Sequence, residues 1–198
     1  MANRADEDLS RVDWYGEELG GVRFLRCTFF DATLDELATR GCVFEDCDLS
    51  GASLTASVHE DTAFLRCRFR KASLFGATLR RCKLTGSVFE SAVLRPLTVE
   101  GGDWSYVALR GQSLAGVGLA GVRLREADLT GADLTGADLT RADLAHARLD
   151  GVRLRGADLR GADLDGVDLR GLDLSEVRLD LAQAVRLATQ YGAEVDWA

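Results

Sequence analysis

The sequence predicts an all-β solenoid, a parallel β-helix closed by a short C-terminal α-helix. Three observations predict it: a five-residue hydrophobic period that never slips, glycine held to one phase of that period, and an abrupt change to helical spacing near the C-terminus. Stepping by five from Leu9 to Leu179 meets only Leu, Phe, Trp or Val, apart from Thr39 and His59. Two residues earlier the side chain is usually small or medium and apolar, as at Val22, Cys27, Ala32, Ala72, Val122, Ala132 and Val152. Most of the 21 glycines, among them Gly51, Gly86, Gly131 and Gly161, fall two residues after the large apolar one.

Neither regular helix nor flat strand accommodates this period. An α-helix turns about 100° per residue, so each repeat of five drifts by roughly 140° and no apolar face accumulates. Regular glycine in a helix interior would add a cost of about 1 kcal/mol each. In a flat strand side chains alternate with period two, and an odd repeat sends every second large residue outward. The chain must therefore turn every five residues. The small and the large residue then point to one interior, and glycine sits at the corner, where positive φ favours it. Stacked coils bury a continuous ladder, each Leu or Phe contributing roughly 1.5–3 kcal/mol relative to exposure.

The pattern small apolar, Asp, Leu, Ser/Thr/Arg, Gly, seen without interruption in ADLTGADLTGADLTRADL at 127–144, resembles the pentapeptide repeat family. The resemblance covers about residues 9–179. It implies a right-handed quadrilateral β-helix with four repeats per coil, so that residues 20 apart stack at the strand spacing of about 4.8 Å. The rod then has between eight and nine coils and is on the order of 40 Å long. Leu94-Arg95-Pro96-Leu97-Thr98-Val99 and the tail LDLAQAVRLATQYG narrow the likeness to the fluoroquinolone-resistance branch, the mycobacterial MfpA type more than the Qnr type. That branch implies a dimeric rod that mimics B-form DNA and occupies the DNA-binding saddle of gyrase, or topoisomerase IV where present. Qnr members carry loops projecting from the coil; the unbroken phase here resembles the loopless type.

Along the chain, residues 1–8 are expected to fray, with Leu9, Trp14 and Leu19 entering the repeat of the body at 9–179. Thr39 and His59, 20 apart, stack on one face and mark a bulge or widened coil. Pro96 falls at the turn phase as a corner stiffener. From 180 to 198 the period changes: Asp180 caps a helix with Gln183 as the partner of a capping box and Gly192 as the stop. Leu181, Ala184, Val185 and Ala188 follow at helical spacing. The helix is expected to cover the last coil and, with those four residues and Trp197, to pair two rods end to end.

Composition limits the function. A chain of 198 residues that is 46% hydrophobic makes one well-buried domain. With 24 Lys plus Arg against 32 Asp plus Glu, a formal charge of -8 and a pI near 4.8, ordinary phosphate-backbone binding is disfavoured. No apolar run approaches the roughly 18 residues of a membrane span, and the start MANRADEDLSRVDW is too charged for a signal peptide, so a cytoplasmic protein is expected. Five cysteines without CxxC spacing suggest neither a disulfide framework nor a zinc site. All five share the interior phase, and Cys27, Cys47 and Cys67 stack; buried thiols acting as small hydrophobes explain them. His59 lies inward and His146 in the turn phase, and no nucleophile elbow, P-loop or paired metal motif is found. No cofactor, metal or catalytic residue is expected.

The outward aspartates are the remaining signal. Asp103, Asp128, Asp133, Asp138, Asp143, Asp158, Asp163, Asp168 and Asp173 each precede a large interior residue and form columns on the rod faces. Arg148 and Arg153 interrupt two of them. A charge of -8 over about 40 Å is far more dilute than the one per ~1.7 Å of duplex DNA, so mimicry needs DNA-like width and carboxylates concentrated on selected faces. The reading is a non-enzymatic gyrase-binding DNA mimic that confers resistance to fluoroquinolones or other gyrase-directed agents; the rival is a structural or adaptor protein for another partner. Leu79→Asp tests the phase itself. An unpaired buried charge should unfold several coils, and a variant with wild-type circular dichroism and melting would reject the assigned interior.

Overall fold

The computed structural model describes residues 2–196. Among them eleven short strands precede one helix: β1 Ala2–Ala5, β2 Glu18–Gly20, β3 Val22–Leu25, β4 Ala38–Arg40, β5 Val43–Glu45, β6 Val58–Glu60, β7 Ala63–Leu65, β8 Arg68–Arg70, β9 Thr78–Lys83, β10 Val88–Glu90, β11 Thr98–Asp103 and α1 Leu181–Gln190. The strands pair only in parallel, and every partner sits four repeats along the chain, as in Ala2↔Val22, Thr39↔His59 and Leu79↔Val99. Single bridges carry the same offset to the end of the coil, through Ala108↔Asp128, Asp128↔Arg148 and Asp158↔Arg178. Four repeats thus complete one turn, and the chain is a right-handed quadrilateral β-helix.

The corners set this geometry. From Asp6 to Glu176 every residue of the corner phase has φ near +50° to +75°, except Pro96 and Gly171. Seventeen non-glycine residues among those described hold positive φ, although each costs of order 1 kcal/mol or more in that region. Pro96 cannot join them because its ring fixes φ near −65°, and the Arg95–Pro96 peptide is cis. Gly102 is glycine for a harder reason: a Cβ there would lie 2.2 Å from the Cys82 carbonyl oxygen, a backbone atom that cannot step aside.

Inside, large residues stack coil on coil. Phe24, Phe44 and Phe64 lie face to face with centroids 4.8 and 4.9 Å apart, and Phe69 and Phe89 at 4.5 Å. These distances match the coil rise, so backbone ladder and ring stack are satisfied by one spacing. Beyond Trp104 the ladder becomes leucine, from Leu109 to Leu169, fully buried. Corners in both halves close as tight turns, with the small residue's N–H donating to the large residue's carbonyl, as in Ala52 to Leu49 at 3.1 Å and Ala132 to Leu129 at 2.9 Å.

All five cysteines are free and buried, and they do more than fill space. Each thiol reaches a carbonyl of the preceding coil, Cys27 that of Arg4 at 3.6 Å, Cys42 that of Leu19 at 3.4 Å, Cys67 that of Phe44 at 3.3 Å and Cys82 that of His59 at 3.2 Å, while Cys47 is shared between Glu45 at 3.4 Å and Phe24 at 3.5 Å. Ser87 does the same for Phe64 at 2.8 Å. Burial pushes the Cys67 thiol well above its ordinary value and Cys82 to about 11, which keeps both protonated donors.

The N-terminus departs from the expectation of fraying. β1 pairs with β3, extending the solenoid back to Ala2. Arg4 explains the order: its guanidinium lies 5.7 Å from the Trp14 ring centroid and 5.6 Å from that of Phe24, while bonding Glu7 at 2.6 Å. One side chain therefore covers the aromatic mouth of the first coil.

Thr39 and His59 do not mark a bulge; they pair in register. Ser57 Oγ donates to the Leu54 carbonyl at 2.7 Å and so must accept from His59 Nε2 at 3.0 Å. That leaves Nδ1 to accept from the Thr39 hydroxyl at 2.7 Å, with the Thr62 hydroxyl 2.8 Å from that of Thr39. The imidazole is neutral and satisfied on both nitrogens, and desolvation holds its pKa down to about 4. Because the unfolded histidine titrates near 6.5, this group contributes stability fully present above pH 6.5 and lost progressively as pH falls to about 4, of the order of 3 kcal/mol. His59→Leu should remove that part of the melting-temperature drop between pH 7 and 4.5; an unchanged slope would show that the buried ring is not its source.

Candidate partner-binding surface

The rod offers four outer faces and two ends, and the residues facing water just before each large interior residue form their ladders. Asp128, Asp133, Asp138 and Asp143 fall on four different faces, bridging Arg148, Arg153, Asp158 and Asp163 of the following coil. All nine aspartates singled out from the sequence are placed outside the core, but their carboxylates are first engaged locally. In each, Oδ1 accepts the backbone N–H two residues on: Ser105 for Asp103, Thr130 for Asp128, Thr135 for Asp133 and Thr140 for Asp138, at 2.9–3.1 Å. The same bond joins Ala145 to Asp143, Arg160 to Asp158, Asp165 to Asp163, Arg170 to Asp168 and Ser175 to Asp173 at 2.9–3.2 Å. Aspartate recurs here because its short side chain ties down the approach to the corner.

Electrostatically the nine divide. Arg123 pairs with Asp103, Arg110 with Asp128, Arg153 with Asp133, Arg160 with Asp158 and Arg170 with Asp168, at 2.6–3.0 Å. The Arg153, Arg160 and Arg170 guanidinium groups hold the carboxyls of Asp133, Asp158 and Asp168 down to about 2. Asp138, Asp143, Asp163 and Asp173 have no ion pair among the described residues, and Asp143 and Asp163 stack on adjacent rungs of one face. Of the nine, these four are therefore the ones whose charge no guanidinium pairs.

α1 lies across that end. Asp180 accepts from Gln183 N at 3.0 Å and Gln183 Oε1 from Asp180 N at 3.0 Å, completing the capping box. Gly192, at φ +84°, closes the helix with its N–H on the Thr189 carbonyl and that of Ala193 on Ala188. What faces the coil is mainly polar. Gln183 donates to the Leu159 and Ala162 carbonyls at 2.5 and 2.9 Å, Arg186 to Leu164 at 2.8 Å and Gln190 to Val167 at 2.7 Å. Asp180 and Gln190 accept from the N–H groups of Gly161 and Leu169. These side chains satisfy the backbone that the last coil would otherwise leave open. Leu187 packs on the core, whereas Leu181 is 69% exposed, Ala184 is exposed, and Val185 and Ala188 are half-buried. Trp197 lies outside the described residues.

Among the described residues no group of three or more His, Cys, Asp or Glu is arranged to hold a metal ion, and no helix is long and apolar enough to cross a membrane. Sequence reading missed a cationic belt at mid-rod. Residues 61–100 hold eight Lys and Arg against three Asp and Glu in a chain of charge -8. Counting charge by coil rather than over the whole chain would have found it.

The profile for "Pentapeptide repeats" matches the chain in eight copies over residues 60–90, 72–95, 105–141, 119–156 and 142–180. The chain belongs to the pentapeptide repeat family. Within it, the chain is similar to pentapeptide repeat protein MfpA of Mycobacterium tuberculosis, 42% identical over 86 residues, or 43% of this chain and 47% of that protein. It is also 37% identical over 62 residues to MfpA of Mycolicibacterium smegmatis, covering 31% and 30% of the two chains. These matches span less than half the length of the curated relatives. Among solved structures, full-length QnrB1, described as a plasmid-mediated fluoroquinolone resistance protein, superimposes with a TM-score of 0.88 at 25% identity, covering 97% of this chain and 98% of that one.

The local role of the aspartates is testable. Asp143→Asn keeps an Oδ1 acceptor for the Ala145 N–H and should melt like the parent, whereas Asp143→Ala loses that bond and about 1 kcal/mol. Equal melting of both variants, followed by circular dichroism, would remove aspartate's structural role at this position.

Proposed function

We propose that this pentapeptide repeat protein is a non-enzymatic, cytoplasmic DNA mimic that binds DNA gyrase, and topoisomerase IV where present. By modulating or inhibiting the enzyme it confers resistance to fluoroquinolones or other gyrase-directed agents. The observation that carries this reading is the end-to-end likeness of a loopless rod to a fluoroquinolone resistance protein, joined by sequence likeness to the MfpA proteins. The charge distribution supports it. Asp138, Asp143, Asp163 and Asp173 present carboxylates that no arginine pairs among the described residues, distributed over three of the four faces. A basic DNA-binding groove would attract such a surface at long range, and salt would weaken the attraction.

A supercoiling assay with purified gyrase, with and without a quinolone, tests the reading. The protein should inhibit supercoiling and compete with DNA. Replacing the four unpaired aspartates by Asn preserves their turn bonds and should lower potency by about tenfold or more, with a shallower salt dependence. A folded quadruple variant of unchanged potency would sink the charge mechanism, and no effect of the parent on gyrase would sink the target.

We further propose that the protein is a homodimer through α1. The supporting feature is that polar side chains occupy the inner face of the helix, which leaves Leu181, Ala184, Val185 and Ala188 as an i, i+3, i+4, i+7 stripe turned from the coil. Light scattering should give twice the chain mass. Leu181→Glu with Val185→Glu leaves the capping side chains in place and should halve it; a dimer that survives the double variant places the interface elsewhere.

A further inference from the structure

We propose that the middle of the rod carries a second docking surface, opposite in sign to the acidic columns, for an acidic polypeptide segment with an apolar anchor. Arg66 and Arg81 of the belt are occupied, bridging Glu45 with Asp46 and Glu60 with Asp61. Arg68, Arg70, Lys71 and Arg95 are exposed and make no ion pair among the described residues. They span two adjoining faces, with Lys71 at the corner between them and Arg95 at the far end of the second face. Arg68 and Arg70 lie on the face before that corner, and Arg95 lies one coil on.

Apolar side chains stand among these cations. Phe75 is 51% exposed and Val93 48%. Val93 bridges Ser73, and Phe75 and Arg95 are likewise four repeats apart, so the two side chains occupy adjacent rungs. Beside them a shallow hollow of about 510 Å³ is lined by Arg95, Pro96, Leu97, Ala115, Gly116 and Val117, five of them uncharged. It is open to solvent along one side, a depression against which an aliphatic or aromatic side chain can lie. On a chain of charge -8, large apolar side chains exposed within a cationic rim fit a partner that brings carboxylates and an anchor together.

Charge complementarity also selects the class of occupant. A nucleic acid carries one charge per ~1.7 Å and would run into Glu90 beside Arg70 and into the acidic coils beyond. A short segment with up to four carboxylates needs only the unpaired cations Arg68, Arg70, Lys71 and Arg95, and Asp48 and Glu90 on the rungs beside Arg68 and Arg70 limit how far it extends. This surface is independent of gyrase binding and would stand if that reading failed.

Fluorescence anisotropy with a labelled hexapeptide, two glutamates on either side of a Leu-Phe pair, tests the inference. Saturable binding is expected, weakened about tenfold by Lys71→Glu with Arg95→Glu and by Phe75→Ser, and abolished when the glutamates become glutamines. Asp163→Asn, on another face, should leave it unchanged. All these side chains are exposed, and wild-type melting would confirm that the variants fold. No saturation at millimolar peptide, or binding indifferent to the Lys71, Phe75 and Arg95 changes, would overturn the proposal. So would displacement of the peptide by duplex DNA, or loss of self-association in the same variants, which would identify a nucleic acid or a second copy as the occupant.

Discussion

The corner residue held at positive φ is the constraint on which the rest of the structure depends. Repeated every five residues from Asp6 to Glu176, it turns the chain through the sides of a square and returns it one rung higher. Only then do residues of successive coils meet at the strand spacing, and only then do Phe24, Phe44 and Phe64 stack at 4.8 and 4.9 Å. The strain at the non-glycine corners is tolerated because most of them are fixed by a backbone bond to the next coil, as Asp46 N is to the Leu65 carbonyl at 2.9 Å. Local unfavourable geometry is thus offset by non-local hydrogen bonding and burial.

A stack of this kind is stable in its middle and vulnerable at its ends, where a coil lacks a neighbour. The two ends are closed by different chemistry. At the start a single cation, Arg4, lies over Trp14 and Phe24 with Glu7 neutralising it. At the finish Asp180, Gln183, Arg186 and Gln190 reach back to carbonyls and N–H groups of the last coil. Because polar side chains perform the capping, the apolar side of α1 remains outside and is available for association.

The outer wall combines structural and electrostatic duties in the same residues. Aspartate is repeated because its Oδ1 holds the N–H two residues on, so its frequency alone says little about a partner. Its pairing carries the information. Where an arginine pairs with the carboxylate the charge is masked, and where none pairs among the described residues, as at Asp138, Asp143, Asp163 and Asp173, more of it faces solvent. With the cationic belt of residues 61–100 between two acidic stretches, the rod carries charge in bands rather than uniformly.

The solenoid, its interior phase, the corner glycines and the capping box at Asp180 and Gln183 are legible in the sequence. All four are encoded by spacing within a few residues, and backbone geometry leaves few alternatives for a five-residue period. Which aspartates lack an ion pair follows from the stacking of coils, because an arginine partner can come from the same coil or from the coil on either side. Only that stacking also decides that the cysteines cap carbonyls of the preceding coil, that His59 is satisfied by Ser57 and Thr39, and that the first residues are ordered under Arg4. Each depends on which neighbour the stacked coils bring within about 3–4 Å, and a five-residue pattern cannot specify that identity.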